Sequence, residues 1–305
     1  MLVISAKSGQ LGNRLILFAH FISFAIENKL TVLNPGFAEY AEYFQGTATD
    51  LFCCYPPPLL KIPANRYWRE KYYKFNCIIR DKQWFELEKI PRNKPFCWKY
   101  YQDNSRVKLV FFTGWLYREG WFVEDLKKLR KHRNQIREYL KPMKRYQVNV
   151  NNLMSKLRTD ANVVIIGVHI RQGDYQQHQD GRYFYTSEQY AEKMTSVKEL
   201  FPDKQVKFLI CSNVEQDSKL FNKFEHVKGN NQLIEDMFSL SECDRIIGPP
   251  STYTMFASFY GDIPLYMIRN VNKEISSDDF VIFDQWKGTF HYNDDWSKTY
   301  WEWTH

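Results

Sequence analysis

The chain has 305 residues, 44% of them apolar and 17% aromatic, and a formal charge of +7. Its apolar content excludes a globally disordered chain and can fill one large core or two ordinary ones. The modest basic excess suits an anionic small ligand, a nucleic acid or an anionic membrane surface, and chooses none of them. The six cysteines, Cys53, Cys54, Cys77, Cys97, Cys211 and Cys243, form no C-x-x-C pair. Scattered free thiols in a reducing compartment are expected, not a zinc clip. No segment reads as a cleavable signal or reaches transmembrane length. The apolar run at 15–26 carries His20 and ends at Glu27, which fits a buried helix. A cytoplasmic protein is expected, with room for peripheral contact at the inner face of the membrane.

In chain order, residues 2–6 read as a strand, followed by the loop KSGQLGN and a helix over 14–28 that is apolar nearly all round. KLTVLNP returns as a strand, giving a β-loop-α-β opening typical of an α/β layer. From 36 to 105 the pattern loosens, with three prolines at 56–58 and a basic aromatic stretch, NRYWREKYYKF, that the periodicity does not place. RVKLVFFTG is a clear strand. FVEDLKKLRKHRNQIREYL is a helix with acids early and bases late, as the helix dipole prefers. Pro142 stops it, and KPMKRYQVNVNN is the expected domain boundary. It separates an N-terminal Rossmann-like, acceptor-side domain over 1–141 from a C-terminal one over 142–305. The tail, rich in aromatics and acids, is expected to pack back on the first domain.

Past the boundary a strand runs up to Arg171. Thr186 and Gln189 form the pattern of a capping box opening a helix to about residue 200. VKFLICS is a strand, VEQDSKLFNKF and LIEDMFSLSEC are helices, and DRIIGPP is a strand running into the helix STYTMFASFYG. PLYMI is a last strand. The expected architecture is two α/β halves with a cleft between them, with ligands at the carboxyl ends of strands.

One such end is GVHIRQGDY, at 167–175. His169 and Arg171 alternate with Val168 and Ile170, so they share one side of the strand. Two cationic or donor groups side by side make an anion site. An arginine can take a phosphate bidentately and stays charged at any working pH. Gly173 lets the chain turn, and Asp174 fixes the loop or orients Arg171. A plain Arg171–Asp174 ion pair explains the same pattern. In GPPSTYTMFASF, Ser251 and Thr252 open a helix whose free N–H groups suit an anion, although an ordinary N-cap is the commoner explanation. SGQLGN has two glycines that allow close backbone approach to a ligand, without a G-x-G-x-x-G or Walker pattern. Glu235 and Asp236 open a helix, where acids are usual.

Together these segments resemble the α-1,2-fucosyltransferase family. VHIRQGDY is similar to that family's H-x-R-R-G-D-Y motif, and GQLGNRLILFAH to its N-terminal G-G-L-G-N-Q-x-F-Q-Y-A. EDMFSLSECDRIIGPPSTYTMFASFYGD resembles its later D-x-x-x-M-S-x-C-x-x-x-I-x-x-S-T-F-S-W-W-A-A segment. The motifs run in order from residue 9 to residue 262, while 36–105 match nothing. The resemblance implies an α/β GT-B glycosyltransferase, two Rossmann-like domains facing a central cleft. It implies inverting transfer of L-fucose from GDP-fucose to a glycan hydroxyl, O2 of a galactose, in surface polysaccharide or O-antigen synthesis.

By the same resemblance, Arg171 binds the β-phosphate and stabilises the departing GDP, and His169 and Asp236 hold guanine. Ser251 and Thr252 contact phosphate, and Asp174 supports the donor site. Gly12 and Asn13 face the fucose or the acceptor from the opposing domain. His178 and Asp180, in the loop after the arginine motif, lie close to where related α-1,6 enzymes keep a catalytic acid, and are the candidate bases. A fixed cation and helix N–H groups can stabilise a leaving diphosphate without a metal. The chain has no D-x-D clamp, so no metal or other cofactor is expected.

The chain departs from the family pattern at Gln172 in place of the second arginine, at Arg14, and at Met255–Phe256 in place of the paired tryptophans. Gln172 removes a charge near the diphosphate, which keeps a transferase of another GDP-sugar as the near alternative. A nucleic-acid-binding protein would use NRYWREKYYKF to stack bases and hold phosphates, but no RRM, KH or zinc signature accompanies it. A sugar binder that kept the fold and lost the reaction is a third reading.

Overall fold

A computed structural model describes residues 1–82, 85–89, 110–113, 121–286, 288–291 and 300–303. The chain divides into two compact units, one of Met1–Met143 with Asp284–His305, the other of Lys144–Phe283.

In the first unit, strands β1 (Leu2–Ile4), β2 (Val32–Leu33), β3 (Glu86–Lys89) and β4 (Val110–Thr113) form a parallel sheet in the order β2-β1-β4-β3. Helix α1 (Leu11–Asn28) begins three residues earlier than its apolar run suggests. It is buried through almost its whole length, with Leu15, Phe18, Phe21 and Phe24 in the core. NRYWREKYYKF lies in helix α2 (Arg66–Asp81), capped by the Asn65 side chain, which accepts from the Trp68 N–H. Its periodicity misleads because the helix buries Arg69 and Asn76 and turns aromatic residues outward. The Arg69 guanidinium donates to the carbonyls of Asp50 at 3.0 Å and Thr47 at 3.3 Å, and to that of Ala48. These bonds satisfy a buried charge with backbone dipoles.

The single helix expected over 122–140 is two, α3 (Trp121–Lys131) and α4 (Arg133–Tyr139). Between them His132 leaves helical geometry, and its ring pairs with Glu27. Arg133 holds the buried Asp284 at 2.6 Å. Strands β10 (Gly288–His291) and β11 (Tyr300–Trp303) pair antiparallel.

The segment expected to be a boundary linker is mostly helix α5 (Lys144–Met154), whose first residue opens the second unit. That unit carries a parallel sheet of β5 (Val163–Ile170), β6 (Gln205–Ser212), β7 (His226–Lys228), β8 (Arg245–Gly248) and β9 (Leu265–Met267). The order is β7-β6-β5-β8-β9, so the chain steps outward from β5 one way and then returns to its other side. Both faces of β5 are buried, which is why it reads as an apolar run without alternation. Gly167 in its middle leaves room for neighbouring side chains. A Cβ there would stand 2.6 Å from Leu240 and 3.1 Å from Cys243.

Helix α6 (Ser187–Glu199) opens with the expected capping box. The Gln189 N–H donates to Thr186 Oγ1, and the Thr186 N–H donates to Gln189 Oε1. VEQDSKLFNKF is not a full helix. It yields one turn, α7 (Ser218–Phe221), before the unanticipated β7. Helices α8 (Leu233–Leu240) and α9 (Thr252–Gly261) follow as expected, and α9 is buried on most sides. Cys53, Cys54, Cys77, Cys211 and Cys243 are free thiols, and Cys97 lies outside the described residues.

Candidate active site

The sheet of the second unit reverses its strand order beside β5, and ligands of such sheets bind outside the carboxyl ends of the strands at that point. A cavity of about 330 Å³ opens there, entirely within the second unit. His169 and Arg171 come from the end of β5, and Cys211 to Glu215 from the end of β6. Asn231, Leu233 and Asp236 come from the start of α8, and Tyr253 from the first turn of α9.

His169 is 5% exposed, and neither ring nitrogen has a hydrogen-bond partner. Its ring stacks on Tyr253, centroids 5.0 Å apart and planes 23° apart. The Tyr253 hydroxyl donates to the Leu233 carbonyl at 2.7 Å, tying α9 to α8 across the cavity wall. Gly248 on the neighbouring strand makes room for this arrangement, since a Cβ would stand 3.0 Å from the His169 carbonyl oxygen. Burial, with Arg171 adding to it, depresses the His169 pKa to about 3, although Asp174 pulls the other way. Of the two groups expected at this strand end, His169 is therefore the donor and not a second cation. His169 is a neutral ring, and Arg171 carries the positive charge of the pair.

Arg171 leaves the strand as its first residue beyond β5. Asp174 holds its guanidinium by two hydrogen bonds, from Nε at 2.8 Å and Nη2 at 2.7 Å, so the ion pair foreseen from the sequence exists. Burial works to raise the Asp174 pKa. The hydrogen bond and charge of Arg171 outweigh it, and the carboxyl ends below its usual range. The pair fixes the direction of the guanidinium, and the Arg171 side chain is 16% exposed.

Asp236 is 6% exposed, and its Oδ1 has no partner. Burial lifts its pKa to about 6, against the N–H groups of Asn230 and Asn231, while the adjacent Glu235 charge adds to the rise. Glu235 points elsewhere, accepting from Asn149 at 2.6 Å and Asn230 at 2.8 Å. A Cβ on Gly229 would stand 2.5 Å from Asp236 Oδ1 and 3.0 Å from Cys211 Sγ, so this glycine keeps the carboxylate where it is.

The structure thus brings His169, Arg171 and Asp236 to one cavity, with Asp174 behind Arg171. The other sequence candidates do not line it. Ser251 is the N-cap of α9 and accepts from the Tyr253 N–H at 3.2 Å, the ordinary cap, and Thr252 is the helix's first residue. His178 and Asp180 belong to a short 3-10 turn, His178–Gly181. The His178 ring stacks on Tyr175, 5.2 Å between centroids, and desolvation lowers its pKa. Gly12 and Asn13 sit in the first turn of α1, in the other unit. Gln172 does not line the cavity. Its amide donates to the Tyr185 carbonyl at 3.0 Å and accepts from Gln216 at 2.8 Å.

Sequence reasoning missed the β6 end, Cys211 to Glu215, and Tyr253. The register of β6 against β5, with His169 opposite Cys211 and Ile170 opposite Ser212, puts that end in the site. The signal was present in CSNVE, a polar exit from an apolar strand. Among the described residues, no three His, Cys, Asp or Glu side chains are grouped so as to hold a metal ion. None of the described helices is long and apolar enough to cross a membrane.

Two Rossmann-like units with parallel sheets, one carrying this cavity at its switch point, define a GT-B-type glycosyltransferase fold. A mutant of Arabidopsis thaliana FUT1 in complex with GDP shares the fold with a TM-score of 0.55 at 12% identity, over 92% of this chain and 72% of that one. The NodZ α-1,6-fucosyltransferase co-crystallised with GDP does so with a TM-score of 0.52 at 18% identity, over 87% of this chain and 94% of that one. Fucosyltransferase NodZ from Bradyrhizobium gives 0.51 at 17%, over 88% and 94%. Comparison with curated proteins returns no match. The model of glycosyl transferase family 11 matches residues 99–296, well over half of the chain, and the protein belongs to that family.

Proposed function

We propose that the protein transfers L-fucose from GDP-fucose, with inversion and without a metal, to a glycan hydroxyl, O2 of a galactose, in the synthesis of a surface polysaccharide. The observation that carries the donor reading is the buried Asp236 carboxylate with an unpartnered oxygen, beside a stacked His169–Tyr253 wall and below Arg171. Guanine offers two adjacent N–H donors, N1–H and the exocyclic amine, which one carboxylate can accept together. Adenine and uracil offer no such pair. The stacked rings give the base an apolar flank, and the unpartnered His169 nitrogens supply one donor and one acceptor. The fucosyltransferase NodZ has been solved after soaking with GDP-fucose, at 17% identity to this chain, which supports the same donor here.

In this reading the acceptor oxygen attacks the anomeric carbon as the bond to the β-phosphate oxygen breaks. The diphosphate gains negative charge, and Arg171, already oriented by Asp174, stabilises it without reorganising. Ser251 and Thr252, half-buried at the N-terminus of α9 and outside the cavity lining, are assigned phosphate contact by the family resemblance alone. Gly12 and Asn13 serve the fucose or the acceptor. The acceptor proton passes to a base drawn from His178 or Asp180. Desolvation lowers the His178 pKa and so favours the neutral ring, the form that can accept it. The base is assigned by whichever of His178→Ala and Asp180→Asn loses kcat by about 100-fold while keeping GDP affinity. Retained kcat in both would remove that turn from the mechanism.

Calorimetric titration tests the donor class. GDP is expected to bind, with ADP and UDP weaker by at least about 100-fold, as expected when a buried polar group is left unpaired. Equal binding of all three diphosphates would overturn guanine recognition by Asp236.

A further inference from the structure

Helix α2 turns its polar side inward. Its buried side chains are Arg69 and Asn76, while Tyr67, Trp68, Phe75 and Ile78 are 59%, 60%, 56% and 58% exposed. With about 100° between successive residues, these four share one arc of the helix with Lys71 and Lys74. The loop leading into the helix adds Leu59 and Leu60, 104% and 90% exposed, and Ile62 at 50%. Prolines at 56–58 and 63 brace that loop on both sides. Such a concentration of outward apolar side chains among the described residues is not what a free surface carries.

Charge says what covers it. Lys61, Arg66, Lys71 and Lys74 accompany the apolar residues, and the one acid between 59 and 78 is Glu70. Both Glu70 oxygens already accept from Lys7 Nζ, at 2.7 Å each. The arc is therefore apolar and positive at once.

We infer that this loop and the outer face of α2 form a contact surface for an anionic lipid bilayer. Leu59 and Leu60 enter the boundary of the acyl chains. Tyr67 and Trp68 lie at headgroup depth, where amphipathic rings are favoured, and the lysines meet lipid phosphates. An apolar protein groove would use the same leucines and rings but would leave the four cations unmatched. The inference is independent of the donor reading, since none of these residues belongs to the cavity of the second unit.

Vesicle co-sedimentation of the full chain tests it. The protein is expected to sediment with vesicles of phosphatidylcholine containing about 30% phosphatidylglycerol, and far less with phosphatidylcholine alone. The double variant Leu59→Ser/Leu60→Ser should keep its circular dichroism spectrum and its GDP binding but lose vesicle affinity by at least about ten-fold. Lys71→Glu/Lys74→Glu should remove the salt-sensitive part of the affinity. Failure to sediment with anionic vesicles, or sedimentation unchanged in both variants, overturns the inference. Self-association that vanishes in the leucine variant, without vesicle binding, would assign the face to a second copy of the chain and overturn it equally.

Discussion

Asp236 is a carboxylate kept in the interior with one oxygen unpartnered. Its folded pKa, about 6, lies above the ordinary 3.8, chiefly through burial. The folded chain thus holds a proton that the unfolded chain has released. The stability this group contributes is full below the ordinary value and is lost as pH rises through 6. At neutral pH the unliganded protein carries an ionised buried group at a cost on the order of 3 kcal/mol. Asp236→Asn removes that titration. Without ligand, the variant should unfold at higher urea than wild type at about pH 7.5, the advantage vanishing as the pH falls to about 4. The same variant should bind GDP at least about ten-fold more weakly. A variant less stable than wild type across this range would show that the carboxylate is a structural acceptor and not a ligand group. His169 and Arg171 were legible from their period-two spacing on a strand end, because that spacing fixes a shared side. The neutrality of His169 was not, since it follows from burial that only the packed fold creates.

At the scale of elements, the cavity is made by turns between strands and helices, and its walls depend on close approach. Gly229 after β7 is the sharpest case, because a methyl group there meets the Asp236 carboxylate and the Cys211 sulfur. Gly229→Ala should weaken GDP binding by about ten-fold or more at a stability cost of about 1–3 kcal/mol. Parallel titrations of GDP and urea would measure both. Unchanged GDP affinity would mean that the carboxylate need not stand where the structure has it. Strand β5, the capping box of α6 and the helix α9 were readable because local pattern and tertiary role agree there. The break at His132 and the single turn of α7 were not, since each is set by a partner distant in sequence or by the pairing of the short β7. Helix α2 was missed for the opposite reason. Its periodicity is strong but inverted, with Arg69 satisfied inside by backbone carbonyls and its rings outside.

On the scale of the whole molecule, each unit is an α/β layer with its own parallel sheet, and every residue lining the cavity comes from the second. In the proposed reading, donor recognition is accordingly a property of that unit. The fold class was legible from the α/β rhythm and from three motifs in order. Acceptor choice was not, because 36–105 carries no motif and much of it after 82 lies outside the described residues. The central claim is that Arg171 serves as the cation for a GDP leaving group. The measurement that tests it is release of GDP from GDP-fucose with a galactoside acceptor, with and without EDTA, for wild type and Arg171→Ala. The account predicts acceptor-dependent release that survives EDTA and falls by about 100-fold or more in the variant. Release abolished by EDTA, or undiminished in Arg171→Ala, would contradict it.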